Sequence, residues 1–205
     1  MANQSGSVYG LTILSPIARS AHGSESHSLA IRQCLEKLPR GADSPFAKVS
    51  STHMARLVVM DDVVYFGRPS REEHLRSKYL IFESNFDGDL DPYLRRLAVE
   101  VPQEVHAVWR HCEGYPGVEN VDAFIRYMKR CQVETTFFFA DVNDKTVQQT
   151  LQALQTQSAV TAFIEKNQGK PAEELQRAFV KFIDSLQSAP PPVPGIVQGR
   201  ELADE

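Results

Sequence analysis

STHMARLVVMDDVVYFGRPSREEHLRSKYLIFESNFDGD, residues 51–89, sets two apolar runs on either side of a polar connection. Side chains alternate across a strand. In the first run His53, Ala55, Leu57 and Val59 therefore point one way and Met54, Arg56, Val58 and Met60 the other. The second run places Tyr79, Ile81, Glu83 and Asn85 opposite Leu80, Phe82, Ser84 and Phe86. Neither run has one apolar and one wholly polar row, so the sheet they form needs material packed on each face. Helices of the same chain can supply one layer. The second layer falls either to the last helix or to another subunit.

The connection Asp61–Ser77 is longer than a hairpin loop. Val63, Val64, Tyr65 and Phe66 can extend the first strand past a bulge, and Ser70-x-x-Glu73 has the spacing of a helix capping box. The segment reads as a surface insertion with a short helix.

Val8–Leu14 reads as a first strand stopped by Ser15-Pro16. A helix over about 26–38 follows, with Ile31, Cys34, Leu35 and Leu38 on one stripe and Pro39 at its end. Asp91-Pro92 marks the start of a helix carrying Tyr93, Leu94, Leu97 and Val101. Pro102 kinks that helix or starts the next, which holds Val105, Val108, Trp109 and Cys112. Asn120 caps a further helix with Phe124, Tyr127, Met128 and Cys131 inward. Val133–Asp141, VETTFFFAD, reads as the last strand.

The order β, α, β, β, α, β, with one extra helix before the last strand, is that of a ferredoxin-like antiparallel sheet with helices on one face, an α+β fold. Two more helices are expected after it, one capped by Asp144 and resuming near Ser158, the other opened by Pro171. Residues 1–187 thus form a single domain with a helical C-terminal extension. Residues 188–205, proline-rich and then charged, form a flexible tail that can serve as a docking segment.

The 205 residues are 42% hydrophobic and 23% charged, enough for a core without disulfide or metal support. With 22 basic against 26 acidic residues and no dense Lys/Arg run, neither nucleic acid nor an anionic membrane is an expected partner. No run approaches a membrane span, and MANQSGSVYG lacks the regions of a secretory signal, so the expected location is cytoplasmic. Cys34, Cys112 and Cys131 have no metal-ligand spacing and read as reduced thiols on apolar helix faces.

No phosphate loop, dinucleotide fingerprint, nucleophile elbow, zinc-protease helix or calcium loop occurs. The strongest polar constellation joins His53 and Arg56 to Glu83, Asn85 and Asp87, because the two runs are neighbours. A histidine beside a carboxylate can move protons, and an arginine can hold an anionic group. Strand parity sets His53 and Arg56 on opposite faces unless a bulge intervenes. The alternative is that these residues serve turns and a structural ion pair. His106, four residues before Arg110 on one helix, has the chemistry of a metal or haem axial ligand or of a solvated face.

THMARLVVMDD, KYLIFESNFDGDLDPYL and VHAVWRHCEGYPG resemble segments of dimeric α/β-barrel proteins of poorly known function, distantly related to dye-decolorising peroxidases and chlorite dismutases. The matching positions are His53, Ala55 and Arg56, Leu80 to Gly88, and Gly114, Tyr115 and Pro116, and the likeness covers roughly residues 50–155. It implies a ferredoxin-like fold and a homodimer. Haem is the cofactor it raises, but where haem-bearing relatives have a leading glycine in Gly-x-x-Asp-Gly, this chain has Ser84.

The expected function is binding of a small, largely apolar molecule, with His53, Arg56, Asn85 and Asp87 as polar contacts. The alternatives are an enzyme of the same fold, namely a proton-transfer cyclase or isomerase, a monooxygenase or a haem peroxidase, and an adaptor acting through the C-terminal helices and tail.

Overall fold

A computed structural model describes residues 2–20, 26–68 and 71–195. Its sheet comprises β1 (Gln4–Ser5), β2 (Val8–Pro16), β3 (Thr52–Met60) and β4 (Tyr79–Asp87). The spatial order is β1-β2-β4-β3 and every pairing is antiparallel. Among the described residues seven α-helices accompany the sheet: α1 (His27–Glu36), α2 (Pro45–Lys48), α3 (Leu90–Glu100), α4 (Pro102–Trp109), α5 (Val121–Arg130), α6 (Val147–Asn167) and α7 (Ala172–Gln187). The chain is therefore α+β.

Register sorts the side chains into two faces. Leu11 lies opposite Ser84, Ile13 opposite Phe82, Leu57 opposite Phe82 and Val59 opposite Leu80, and this row meets the helices. Phe86 stacks on Tyr93 of α3 at 3.6 Å between ring centroids, and Phe82 meets Trp109 of α4 edge-on at 5.5 Å. Both phenylalanines are fully buried, each contributing about 2–3 kcal/mol of apolar burial. The other face carries Thr12, Leu14, Ile81, Glu83 and Asn85, all partly covered, with Met54 62% and Val58 41% exposed.

Local chemistry sets the helix boundaries. Pro102, which has no N–H to offer, stands at the first position of α4, so α3 and α4 are separate helices meeting at Val101. The Asn120 side-chain oxygen accepts from the Ala123 N–H at 3.0 Å and starts α5 as expected. α3 begins at Leu90, one residue before the Asp91-Pro92 signal.

Four expectations need correction. Val133–Asp141 is not a strand. It begins as one, since Leu14 donates to the Cys131 carbonyl at 2.8 Å and Val133 to the Thr12 carbonyl at 2.9 Å. From there the edge of β2 is already taken: Gly10 donates to the Asn3 carbonyl, and Gln4 and Ser5 pair with Tyr9 and Val8. Thr135 is left to donate to Asn3 Oδ1 at 3.1 Å, and the segment turns across the open face. Asn3, Gln4 and Ser5 thus displace the expected strand.

Secondly, β3 stops at Met60, and Val63–Phe66 form a loop with Phe66 87% exposed. Asp62 closes that loop by accepting from the N–H groups of Val63 and Leu75 and from His74 Nδ1. Thirdly, residues 71–75 are not helical, while Ser70 lies outside the described residues. Finally, α6 is one continuous helix without a restart at Ser158, and its cap is Thr146, in a reciprocal box with Gln149, instead of Asp144.

α6 and α7 form a hairpin held by Phe163, which stacks on Phe182 at 4.6 Å and meets Phe179 at 6.0 Å. No α7 residue is buried, and the pair leaves the open sheet face uncovered. The last helix is therefore not the second layer. Residues 188–195 are irregular, and the rest of the expected tail lies outside the described residues. Among the described residues no helix is long and apolar enough to cross a membrane, and all three cysteines are free thiols.

Candidate functional site

Neighbouring strands set the open face in rows. Thr12, Glu83 and Arg56 form one row and Gly10, Asn85 and Met54 the next. The diverted segment brings Thr135 and Phe138 over these rows and walls a cleft of about 350 Å³. Gly10 makes that wall possible: a Cβ there would lie 2.7 Å from two carbons of the Phe138 ring, so only a glycine lets the ring sit against the strand. Met54 and Phe138 give the cleft its apolar surface, and Thr12, Asn85 and Thr135 its uncharged polar groups.

Arg56 and Asn85, two of the four expected contacts, line this cleft. Arg56 is directly opposite Glu83 and donates to Glu83 Oε2 from Nε at 2.8 Å and from one terminal nitrogen as well. Its charge is answered within the sheet. The pair presents no net charge to the cleft.

His53 and Asp87, the other two, form a separate pair where β3 and β4 end. Thr52 pairs with Phe86 and Met54 with Asn85, which leaves His53 as the extra residue of a bulge. The bulge resolves the parity conflict by turning His53 toward the face that carries Asp87. His53 Nε2 and Asp87 Oδ1 are 2.7 Å apart, with side chains 24% and 11% exposed. Asp87 Oδ2 accepts from the Val147 N–H at 2.8 Å, so one carboxylate orients the histidine and anchors the first turn of α6. Neither residue lines the cleft.

The cleft does not fit haem. Among the described residues no histidine lines it to offer an axial nitrogen, His53 is bonded to Asp87, and His106 packs on Tyr115 at 5.8 Å between centroids. Among the described residues no three His, Cys, Asp or Glu side chains converge as metal ligands would.

Sequence reasoning missed Gly10, Thr12, Thr135 and Phe138. Gly10 interrupting an apolar strand was the available signal, because such a glycine marks a close approach by another group. Nothing local tied Phe138 to it. Comparison with known proteins finds no match for the chain among family models, curated proteins or solved structures.

Proposed function

We propose that the chain is a ligand-binding protein of the ferredoxin-like, dimeric α/β-barrel type. Two copies bring their open sheet faces together and enclose a small, uncharged, largely apolar molecule at the Arg56–Asn85 cleft. The observation that carries this reading is the open face itself, where Met54 and Val58 stand exposed around a cleft of about 350 Å³, within the range of small-molecule sites. The strand order β2-β4-β3, antiparallel throughout with helices against one side, is compatible with the ferredoxin-like arrangement. The free cysteines suit a reducing, cytoplasmic setting.

Native mass spectrometry of freshly purified protein tests both halves. The expected result is a dimer that retains a small molecule, and a Met54→Glu, Val58→Glu double variant that is monomeric and empty. A wild-type monomer at micromolar concentration sinks the pairing. A dimer that never carries a ligand, whatever the source of the protein, sinks the binding.

The His53–Asp87 pair favours a second reading, a proton-transfer enzyme of the same fold. An imidazole oriented by a carboxylate is a competent base. It requires a substrate that reaches the bulge as well as the cleft, so ligand chemical shifts that move on His53→Ala would support it.

A further inference from the structure

The α6–α7 hairpin carries a second cavity of about 470 Å³, remote in sequence from the sheet cleft. Its floor is Ala159, Ala162 and Phe163 of α6 with Ala178 and Phe182 of α7. The α6 residues recur at i, i+3 and i+4, one helical face, and continue into Lys166 and Asn167 at i+7 and i+8. Alanines at three of the five floor positions keep the groove open, and the Phe163–Phe182 stack closes its base.

Three ammonium groups stand around this apolar floor: Lys166, Lys170 and Lys181. Among the described residues no carboxylate lines the groove with them, although most other lysines and arginines with described partners here face an Asp or Glu. Lys170 is held in place: its Nζ donates to Asn167 Oδ1 at 2.7 Å, and buried Asn167 donates in turn to the Phe163 carbonyl at 2.7 Å. In a chain of net charge −4 this is a local positive rim on a hydrocarbon trough. Its complement is a molecule with an apolar chain and an anionic head.

We propose that the hairpin groove binds a single-chain amphiphilic anion of the long-chain carboxylate class. The hydrocarbon lies along the alanines and Phe182, and the carboxylate accepts from the lysines. This site is independent of the sheet cleft, whose Arg56 is neutralised by Glu83.

Full-length protein titrated calorimetrically with hexadecanoate below its micelle concentration tests the assignment. The expected result is saturable binding that weakens about tenfold or more in a Lys166→Gln, Lys170→Gln, Lys181→Gln variant of unchanged helicity. Ala162→Trp, which fills the trough and leaves the charges in place, should also abolish it. Methyl hexadecanoate should bind wild type and the triple variant equally weakly. Equal affinity of wild type and triple variant for hexadecanoate overturns the proposal. So does loss of binding in Arg56→Ala with both groove variants unaffected, because the guest would then occupy the sheet cleft. Adsorption to anionic phosphatidylglycerol vesicles without uptake of monomeric hexadecanoate also overturns it, assigning the lysines to a membrane surface.

Discussion

Gly10 and Phe138 are one device written at two distant positions. Gly10→Ala places a methyl carbon inside the Phe138 ring contact, so the ring must leave the sheet. The expected cost is about 1–2 kcal/mol in chemical denaturation, vanishing in a Phe138→Ala background, where nothing opposes the methyl group. The Asp62–His74 contact makes a different prediction. Hydrogen bonds from the Leu75 N–H, His74 and the Val63 N–H hold the Asp62 carboxyl down at about 2, and the same carboxylate raises His74 above its ordinary 6.5. A depressed carboxyl gives its contribution above the ordinary 3.8 and loses it as pH falls through about 2. A raised imidazole gives its contribution below 6.5 and loses it as pH climbs through the elevated value. The loop tether is therefore complete between roughly pH 4 and 6.5. An NMR titration should show His74 titrating above 6.5 and returning toward it in Asp62→Asn. A His74 midpoint unmoved by that substitution would show that the contact has no electrostatic weight. Asn120 was legible as a cap, and Pro102 as a kink or a new helix start, because their chemistry acts within one turn. The bulge at His53 was legible only as a condition, since parity demands it and no residue type encodes it.

Elements with their own periodicity were legible: the alternation in β3 and β4 and the inward stripes of α3, α4 and α5 come from neighbours in sequence. Val133–Asp141 was not, because its propensity for extended structure is real and loses to a competitor more than a hundred residues away. Asn3–Ser5 reach the edge of β2 first, and tertiary competition of this kind leaves no local trace. The attachment of α6 was equally invisible, resting on Asp87 Oδ2 and the Val147 N–H. Asp87→Ala leaves that N–H and His53 without their acceptor, at an expected cost of about 1–3 kcal/mol. Hydrogen exchange at the Val147 amide should accelerate far more than exchange in α5, whose cap is intact. Uniform acceleration would mean that the carboxylate stabilises the whole domain and not the α6 junction. The hairpin beyond it leans on one aromatic cluster. Phe163→Ala should cost about 1–2 kcal/mol, below a full core deletion because the ring is partly exposed, and should melt α6 and α7 while the near-ultraviolet signal of Trp109 is kept.

For the whole molecule the decisive quantity is apolar surface that one chain cannot cover. Met54 and Val58 on the sheet are more than scattered surface hydrophobics, because strand register gathers them onto one face. Neither α6 nor α7 comes to cover that face, and in the proposed dimer a second copy supplies the layer that the two-sided apolar pattern asks for. Association of that kind makes stability depend on concentration. A folded dimer unfolding to two chains gains about 1.4 kcal/mol per tenfold rise in protein concentration, so its melting temperature climbs as protein is added. Wild-type protein should behave so over a hundredfold range, and Met54→Glu should melt lower, at one temperature throughout. Met54 is exposed on the open sheet face, away from the helix-covered one, so circular dichroism of the variant should keep the native helix content below its transition. A wild-type melting temperature indifferent to concentration would mean that the exposed row is tolerated by a lone chain. The cleft would then open to water on a monomer.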